Sequence, residues 1–181
     1  SNGASFYPNL NEDGSKIVFE SFADNLTTNF TANGFRQIFL WDRYSGVSEN
    51  LTYGNGDSHN PSISGNGKRV VFASDASNLP TLIPDLNGYR DVFLFDGDTN
   101  ETSILSLTQM GEITMGGSSD QAQISGNGEH VVFRSEATNI IRQGGITKLV
   151  VERGGAGYSG NIKVEVVDRD GFGSGAVLEI K

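Results

Sequence analysis

The stretch PSISGNGKRVVFASDASNL at residues 61–79 decides the fold, because this chain of 181 residues contains three copies of it. The first copy is PNLNEDGSKIVFESFADNL at 8–26, and the third is AQISGNGEHVVFRSEATNI at 122–140. The second copy begins 53 residues after the first, and the third begins 61 residues after the second. A period of this length is typical of proteins that stack β-sheet repeats, such as propeller blades.

Each copy predicts a hairpin whose second strand is covered on both faces. The pair Asn66-Gly67 supplies the positive φ angles of a tight turn, and Val70, Val71 and Phe72 follow it. Successive side chains of a strand point to opposite faces, so three consecutive apolar residues require a neighbour on each side. A lone sheet with one wet face would alternate apolar and polar residues instead. Sheets stacked around an axis meet the requirement.

Two further strands complete each of the first two repeats. DVFLFD at 91–96 and TSILSL at 102–107 belong to the second repeat, and QIFLWD at 37–42 and SENLT at 48–52 belong to the first. No such strand follows residue 140. We therefore predict an all-β fold, a partial β-propeller with two complete four-stranded antiparallel blades and half of a third. The predicted repeat units are 5–53, 58–107 and 119–140.

The composition changes after residue 140. Glycine-dense turns separate three strand candidates at 146–152, 162–168 and 175–180. We predict a domain boundary there, with the blades in 1–140 and a small glycine-rich β module in 141–181. Two arrangements stay open: the module is inserted between the halves of the third blade, or its strands complete that blade.

Composition and charge exclude several classes of partner. The 24 glycines, 4 prolines and 36% hydrophobic residues suit an all-β protein with many turns. The net charge of −9 repels phosphate backbones and anionic membrane surfaces, so we expect no nucleic-acid partner. No apolar run approaches the length of a membrane span, and we expect no membrane insertion. The chain has no cysteine, which excludes disulfides and thiolate metal sites.

A calcium site is the one metal site that the residues suggest. Asp85, Asn87 and Asp91 place oxygen ligands at alternate positions around Gly88, and Ca²⁺ binds six to eight oxygens. The alternative is an Asx turn, with Asp91 hydrogen-bonded to backbone at the start of a strand. The matching stretch of the first repeat, residues 31–37, has neither carboxylate. We expect no other cofactor.

We do not expect this chain to be an enzyme. His59 and His130 lie in different repeats without ligand-like spacing, and the sequence has no G-x-S-x-G, H-E-x-x-H or cysteine nucleophile. Residues 155–160 fit G-x-G-x-x-G, but the strand-like NIKVEVVD follows them where a dinucleotide site needs a helix.

Recognition is expected on the long connections at 22–36 and 75–90, because rigid scaffolds place binding residues on loops. The candidate binding residues on these loops are Phe30, Phe35, Tyr89 and Arg90. Exposed aromatic residues there form a binding patch in one interpretation. In the other, they cap the stacked sheets.

The pattern S-x-(D/N)-G-x-x-(V/I)-x-F-x-S, followed by D-V-F-x-x-D, resembles the PD40 repeat of TolB-like β-propellers over residues 5–140. The first repeat departs from it by having Gln37 where the second has Asp91. The tail is similar to glycine-rich GGxGY modules of bacterial surface proteins through 154–158 and 173–176. The motif residues are Asp13-Gly14, Asn66-Gly67, Asn127-Gly128, Phe19, Phe72, Phe133, Asp91 and Asp96.

This resemblance implies a docking platform, a periplasmic transport component or a gate in front of a peptidase. We therefore predict a non-catalytic protein-interaction or scaffold module of a bacterial envelope or secreted protein, in the periplasm, at the cell surface or outside. The alternatives are an accessory propeller of a hydrolase whose catalytic domain lies outside this chain, and a calcium- or carbohydrate-binding surface module.

A closed propeller has about four to eight blades, so we expect this chain to be a segment of a longer protein. Each repeat buries its core against its neighbours, and an incomplete stack leaves apolar sheet faces uncovered. We accordingly expect a protein partner or self-association, unless the C-terminal residues cover the open face.

Overall fold

The computed structural model describes residues 1–28, 33–140, 164–167 and 177–180. The described part of the chain contains no helix that is long and apolar enough to cross a membrane. Its strands are β1 (Ser5–Leu10), β2 (Lys16–Ser21), β3 (Gln37–Asp42), β4 (Ser48–Asn50), β5 (Ser58–Ile63), β6 (Arg69–Ser74), β7 (Asp91–Asp96), β8 (Glu101–Ile104), β9 (Ser119–Ile124), β10 (Val131–Ser135), β11 (Val164–Val167) and β12 (Val177–Ile180).

The first ten strands form three sheets that follow the sequence repeats. Strands β1 to β4 make a four-stranded antiparallel sheet in chain order, and β5 to β8 make a second. We call these sheets blade 1 and blade 2, and we call the antiparallel pair of β9 and β10 half-blade 3. The predicted all-β fold of two four-stranded blades followed by a hairpin is confirmed.

Two of the three strands predicted in the C-terminal part contain described strands. The antiparallel pair of β11 and β12 falls within the candidates 162–168 and 175–180. The remainder of the predicted module at 141–181, including the candidate 146–152, lies outside the described residues.

The blades stack because the middle strands carry apolar side chains on both faces. On one face of β6, Phe72 belongs to a core that also contains Val18 and Ile38 of blade 1. On the opposite face, Val71 packs in a second core with Ala122 of half-blade 3. Phe72 also stacks on Phe93 of the adjacent strand, with ring centroids 5.7 Å apart. The run of apolar residues in β6 is therefore covered from both sides, as its sequence requires.

The two junctions between successive sheets use the same hydrogen bonds at equivalent positions. In each junction the first strand of the later sheet lies along the earlier sheet, and three donors are bonded across the gap. Between blade 1 and blade 2, the bonds are Ile63 N–H to Asn9 Oδ1 (3.0 Å), Ser58 N–H to Arg36 C=O (2.9 Å) and Glu12 N–H to Gly65 C=O (3.1 Å). Between blade 2 and half-blade 3, the equivalent bonds are Ile124 N–H to Ser62 Oγ (3.3 Å), Ser119 N–H to Arg90 C=O (2.7 Å) and Gly65 N–H to Gly126 C=O (2.8 Å).

The first strand of blade 1, of blade 2 and of half-blade 3 is bent by a β-bulge at the same position. The pairing register of β1, β5 and β9 shifts there, and one residue adopts a positive φ although it has a side chain. These residues are Tyr7 (φ 48°), Asn60 (φ 50°) and Gln121 (φ 54°). Because non-glycine residues rarely adopt this conformation, its recurrence at three equivalent positions shows that the bulge is a regular feature of the repeat.

The hairpin turns form as the Asn-Gly and Asp-Gly pairs predict. In the second copy, Gly67 has φ 70°, and the side chain of Asn66 accepts hydrogen bonds from the Lys68 N–H (3.1 Å) and the Ser64 hydroxyl (2.7 Å). Local side-chain acceptors of this kind fix a turn without help from distant residues.

We predict that Phe72→Ala lowers the free energy of unfolding by about 3–5 kcal/mol, because a fully buried aromatic ring would leave a cavity between the blades. Chemical denaturation measures the change. Tyr44→Ala is the matched control, since Tyr44 is 83% exposed and should alter stability by less than about 0.5 kcal/mol. Equal effects of the two substitutions would contradict the two-sided packing of β6.

Candidate functional site

All long connections leave the blades at one edge. In each blade the chain descends along the first strand, returns along the second, descends again and returns, so tight turns and long connections alternate between the two edges. We define the loop edge as the edge carrying the connections 22–36, 51–57, 75–90 and 105–118. The opposite turn edge carries 11–15, 43–47, 64–68, 97–100 and 125–130.

An aromatic and cationic cluster occupies the loop edge of blade 1. The rings of Phe6 and Phe22 meet edge to face with centroids 6.5 Å apart, and the guanidinium of Arg36 lies 5.7 Å from the centroid of Phe22. Arg36 also forms ion pairs with Glu20 (3.0 Å) and Asp57 (3.4 Å). A cation held over a ring while paired with carboxylates is fixed in position, so this edge is pre-organised.

Glu20 joins blade 1 to blade 2 beneath this cluster. Its side chain is fully buried, and Oε1 accepts the backbone N–H of Asn60 at 2.7 Å. Asn60 is the bulge residue of β5, so the carboxylate satisfies a donor that the bulge leaves outside the strand pairing. Removing one partner from a buried ion pair leaves an uncompensated charge, which makes Glu20 and Arg36 structurally dependent on each other.

Blade 2 has its own charged cluster at the equivalent edge. Arg90 donates two hydrogen bonds to the carboxylate of Asp75, at 3.0 and 2.9 Å, and Nε2 of His59 lies 3.1 Å from the same carboxylate. Burial alone would raise the pKa of the Asp75 carboxyl, but the hydrogen bonds from Arg90 and His59 outweigh it and the pKa is lowered. The hydrogen bonds to Asp75 raise the pKa of Arg90.

The predicted binding residues differ in whether their side chains are exposed at the loop edge or engaged in contacts within the protein. Phe35 and Tyr89 occupy equivalent positions beside the two arginines, and both are exposed at the loop edge. The guanidinium of Arg90 is held in place by its two hydrogen bonds to Asp75. Phe30 lies outside the described residues.

Sequence reasoning missed two leucines of the same edge. Leu82 is fully exposed and Leu86 is 84% exposed, in a connection interrupted by Pro80 and Pro84. The prolines indicate a loop, but a leucine in a loop is usually read as a residue that folds back onto the core. Only the path of the chain shows that these two side chains point into solvent.

Asp85, Asn87 and Asp91 come together at the base of this loop. The amide nitrogen of Asn87 donates to Asp91 Oδ2 at 2.7 Å, and its amide oxygen accepts the Tyr89 N–H at 2.7 Å in an Asx turn. The hydroxyls of Ser106 (2.5 Å) and Thr114 (3.3 Å) donate to the other oxygen of Asp91. These contacts satisfy the Asp91 carboxylate and tie the loop to the connection that follows β8.

Blade 1 builds the same tie with different residues. Gln37 stands at the position of Asp91, and its Oε1 accepts the Thr52 hydroxyl at 2.6 Å and the Gly54 N–H at 2.9 Å. The backbone N–H groups of Ile38 and Val92 are bonded to the hydroxyls of Thr52 and Ser106 respectively. The replacement of Asp91 by Gln37 between the repeats therefore preserves a buried clamp.

The calcium prediction for Asp85, Asn87 and Asp91 requires a rearrangement of this clamp. Asn87 would have to turn its amide oxygen toward Asp91, where its nitrogen now donates. Burial and the nearby charge of Asp91 raise the pKa of the Asp85 carboxyl, so a cation would relieve electrostatic repulsion here. Among the described residues there is no group of three or more His, Cys, Asp or Glu side chains arranged to hold a metal.

Comparison with known proteins gives structural similarity alone. No protein-family model matches the chain, and no curated protein matches it in sequence. Among solved structures, the chain is similar to TolB from Acinetobacter baumannii (22% identity, TM-score 0.46, 75% of this chain and 28% of that one) and to a protein designated TolB from Agrobacterium tumefaciens (21%, 0.48, 73% and 38%). It is also similar to part of the tricorn protease (12%, 0.45, 75% and 11%). The chain thus spans well under half the length of each.

We predict opposite pH dependences for two carboxyls of the loop edge. The folded state lowers the pKa of Asp75 from its ordinary 3.8, so the stability that this group contributes is present above that pH and is lost as the pH falls through the folded pKa. The wild type should be more stable than Asp75→Asn near neutral pH, and this difference in the free energy of unfolding should therefore shrink below about pH 4.

Asp85→Asn should show the reverse trend. The folded state raises the pKa of Asp85 above 3.8, so its contribution to stability falls as the pH rises through the folded pKa. The free energy of unfolding of Asp85→Asn should consequently rise relative to that of the wild type as the pH rises from about 4. Urea unfolding from pH 3 to 7 measures both, and parallel curves for the two variants would contradict the assignment.

Calcium binding predicts that millimolar calcium raises the Tm and that EDTA lowers it, because a ligand that binds only the folded state stabilises it. The shift should be absent in Asp85→Asn. A Tm that is the same in calcium and in EDTA would exclude the ion.

Proposed function

We propose that this chain is a non-catalytic protein-binding scaffold of a bacterial envelope or secreted protein, and that the loop edge of its blades binds the partner. The observation that carries the proposal is the concentration of exposed apolar side chains on one edge of a rigid stack. The envelope location rests on the resemblance of the repeats to PD40 sequences.

The loop edge combines the features of a protein-binding surface. Leu82, Leu86, Tyr89 and Phe35 expose apolar or aromatic groups there. Apolar and aromatic anchors within a polar rim are typical of protein interfaces. The charged rim here consists of the two partly exposed ion pairs Arg36–Asp57 and Arg90–Asp75.

The supports of these loops favour recognition without a large rearrangement. The Asp91 clamp anchors the base of the 75–90 connection, and the Gln37 clamp does the same for blade 1. The Arg90–Asp75 pair joins that connection to the end of β6. A surface whose supports are already fixed loses less conformational entropy when it binds, which favours affinity.

The charge of the chain limits the chemistry of the partner. With a net charge of −9, the molecule repels other strongly acidic surfaces and favours partners that present apolar groups beside basic ones. This favours a protein or peptide ligand over a nucleic acid.

Peptides selected from a random displayed library against the wild-type chain test the proposal. The double variant Leu82→Asp/Leu86→Asp should bind the selected peptides with a Kd at least about tenfold higher, equivalent to about 1.4 kcal/mol, because it places charge in the apolar patch. Biolayer interferometry measures the Kd, and an unchanged Tm verifies the fold.

The matched control is Tyr44→Asp/Val47→Asp, which adds the same charge to exposed apolar residues of the turn edge. This variant should bind the peptides as the wild type does. Equal binding by all three proteins, or loss only in the turn-edge variant, would overturn the proposal.

A further inference from the structure

We propose that a second copy of this chain docks head to tail, with half-blade 3 of one copy lying against blade 1 of the next through the contacts that already join successive blades. This surface differs from the loop edge, which it meets at Phe6. It consists of the two outer sheet faces of the stack, which we call the head face (blade 1) and the tail face (half-blade 3).

The junction between sheets serves as the template for the proposed contact. The chain makes it twice, with the same three backbone donors bonded at equivalent positions. Each junction also places the valine before the central phenylalanine of one sheet, Val18 or Val71, in a core with apolar residues of the next sheet. An interface used twice within one chain is compatible with a third use between chains.

The head face exposes residues whose equivalents are buried by an earlier blade. Leu10 is 62% exposed, whereas Ile63 at the same position of β5 is 6% exposed. Phe6 and Tyr7 are exposed as well, although His59, the equivalent of Phe6, is buried in blade 2. Every residue of β1 is exposed, while β5 is buried along most of its length.

The tail face shows the same contrast on the opposite side. Val132 is 62% exposed, whereas Val18 and Val71 at the same position of blades 1 and 2 are fully buried. Gln123 stands where Asn9 and Ser62 accept a backbone hydrogen bond from the next sheet. Its side-chain carbonyl is therefore suited to accept the N–H of Leu10 from a second copy.

The two faces are complementary to each other rather than to themselves. The head face offers the N–H of Leu10, whose equivalents Ile63 and Ile124 donate across a junction, and the tail face offers Gln123, whose equivalents accept that bond. An interface between two different faces is heterologous, and it produces a ring when the rotation closes. The described residues of one chain contain three inner hairpins, so those of two chains contain six, which lies within the range of about four to eight blades of closed propellers.

Sedimentation of variants that block one face each tests the proposal. The wild type should associate at about 100 μM, a concentration that populates contacts with micromolar Kd. Leu10→Asp blocks the head face and Val132→Asp blocks the tail face, so each variant alone should sediment as a monomer. An equimolar mixture should form dimers, because the intact tail of the first variant can dock on the intact head of the second.

Cysteine pairs test the register of the contact, since the chain has no cysteine of its own. Leu10→Cys mixed with Gln123→Cys should give a disulfide-linked heterodimer on mild oxidation. Tyr44→Cys mixed with Gln123→Cys is the control and should stay unlinked, because Tyr44 lies on the turn edge.

Three outcomes would overturn the proposal. A wild type that remains monomeric at this concentration would mean that nothing docks, or that residues after Ile140 cover the faces within one chain. A wild type that associates while the mixture of blocked variants does not would indicate a symmetric interface. Crosslinking of Leu10→Cys to itself, in the absence of Gln123→Cys, would indicate the same.

Discussion

The structure depends on one constraint: the second strand of each hairpin carries apolar side chains on both of its faces. A single sheet can cover only one face of such a strand, so no blade is stable by itself. Blade 2 shows the solution, since Phe72 packs toward blade 1 while Val71 packs toward half-blade 3. The remaining features position the sheets so that both faces of β6 stay covered. The bulge at Asn60 bends the first strand, and the backbone bonds across each junction fix the spacing.

Polar groups within the stack follow from this packing. A bulge leaves a backbone donor outside the strand pairing, and a buried donor without a partner is costly. At the junction of blades 1 and 2, the carboxylate of Glu20 accepts that donor from Asn60, and Arg36 balances its charge. The second junction has no counterpart of Glu20, because Ala73 stands at its position. A side chain joins those two sheets at the turn edge, where Arg69 donates to the Gly128 carbonyl. Identical backbone geometry is thus held by different side chains at the two junctions.

The sequence was sufficient for the features that depend on neighbours along the chain. The Asn66-Gly67 turn and the alternation of Val92 and Phe93 are local, and the strands at 37–42 and 91–96 were predicted to the residue. The positive φ of Tyr7, Asn60 and Gln121 could not be predicted, because these residue types share no backbone preference and the shift in pairing register with the following strand leaves no mark in the sequence. The partners of Asp91 were missed for a similar reason. Ser106 and Thr114 follow it by 15 and 23 residues, a separation at which sequence spacing carries no geometric information.

The loop edge and the two sheet faces differ in how their side chains vary between repeats. Some side chains at the loop edge differ between repeats, as Phe22 and Asp75 do at equivalent positions. The residue before the central phenylalanine is the same in every repeat, where Val18, Val71 and Val132 stand at equivalent positions of the sheet faces. Two of these valines are buried by a following sheet and one is exposed. Variation at the edge is compatible with recognition of a partner specific to each repeat, whereas the valine shared by the faces suits an apolar neighbour such as another sheet of the same repeat.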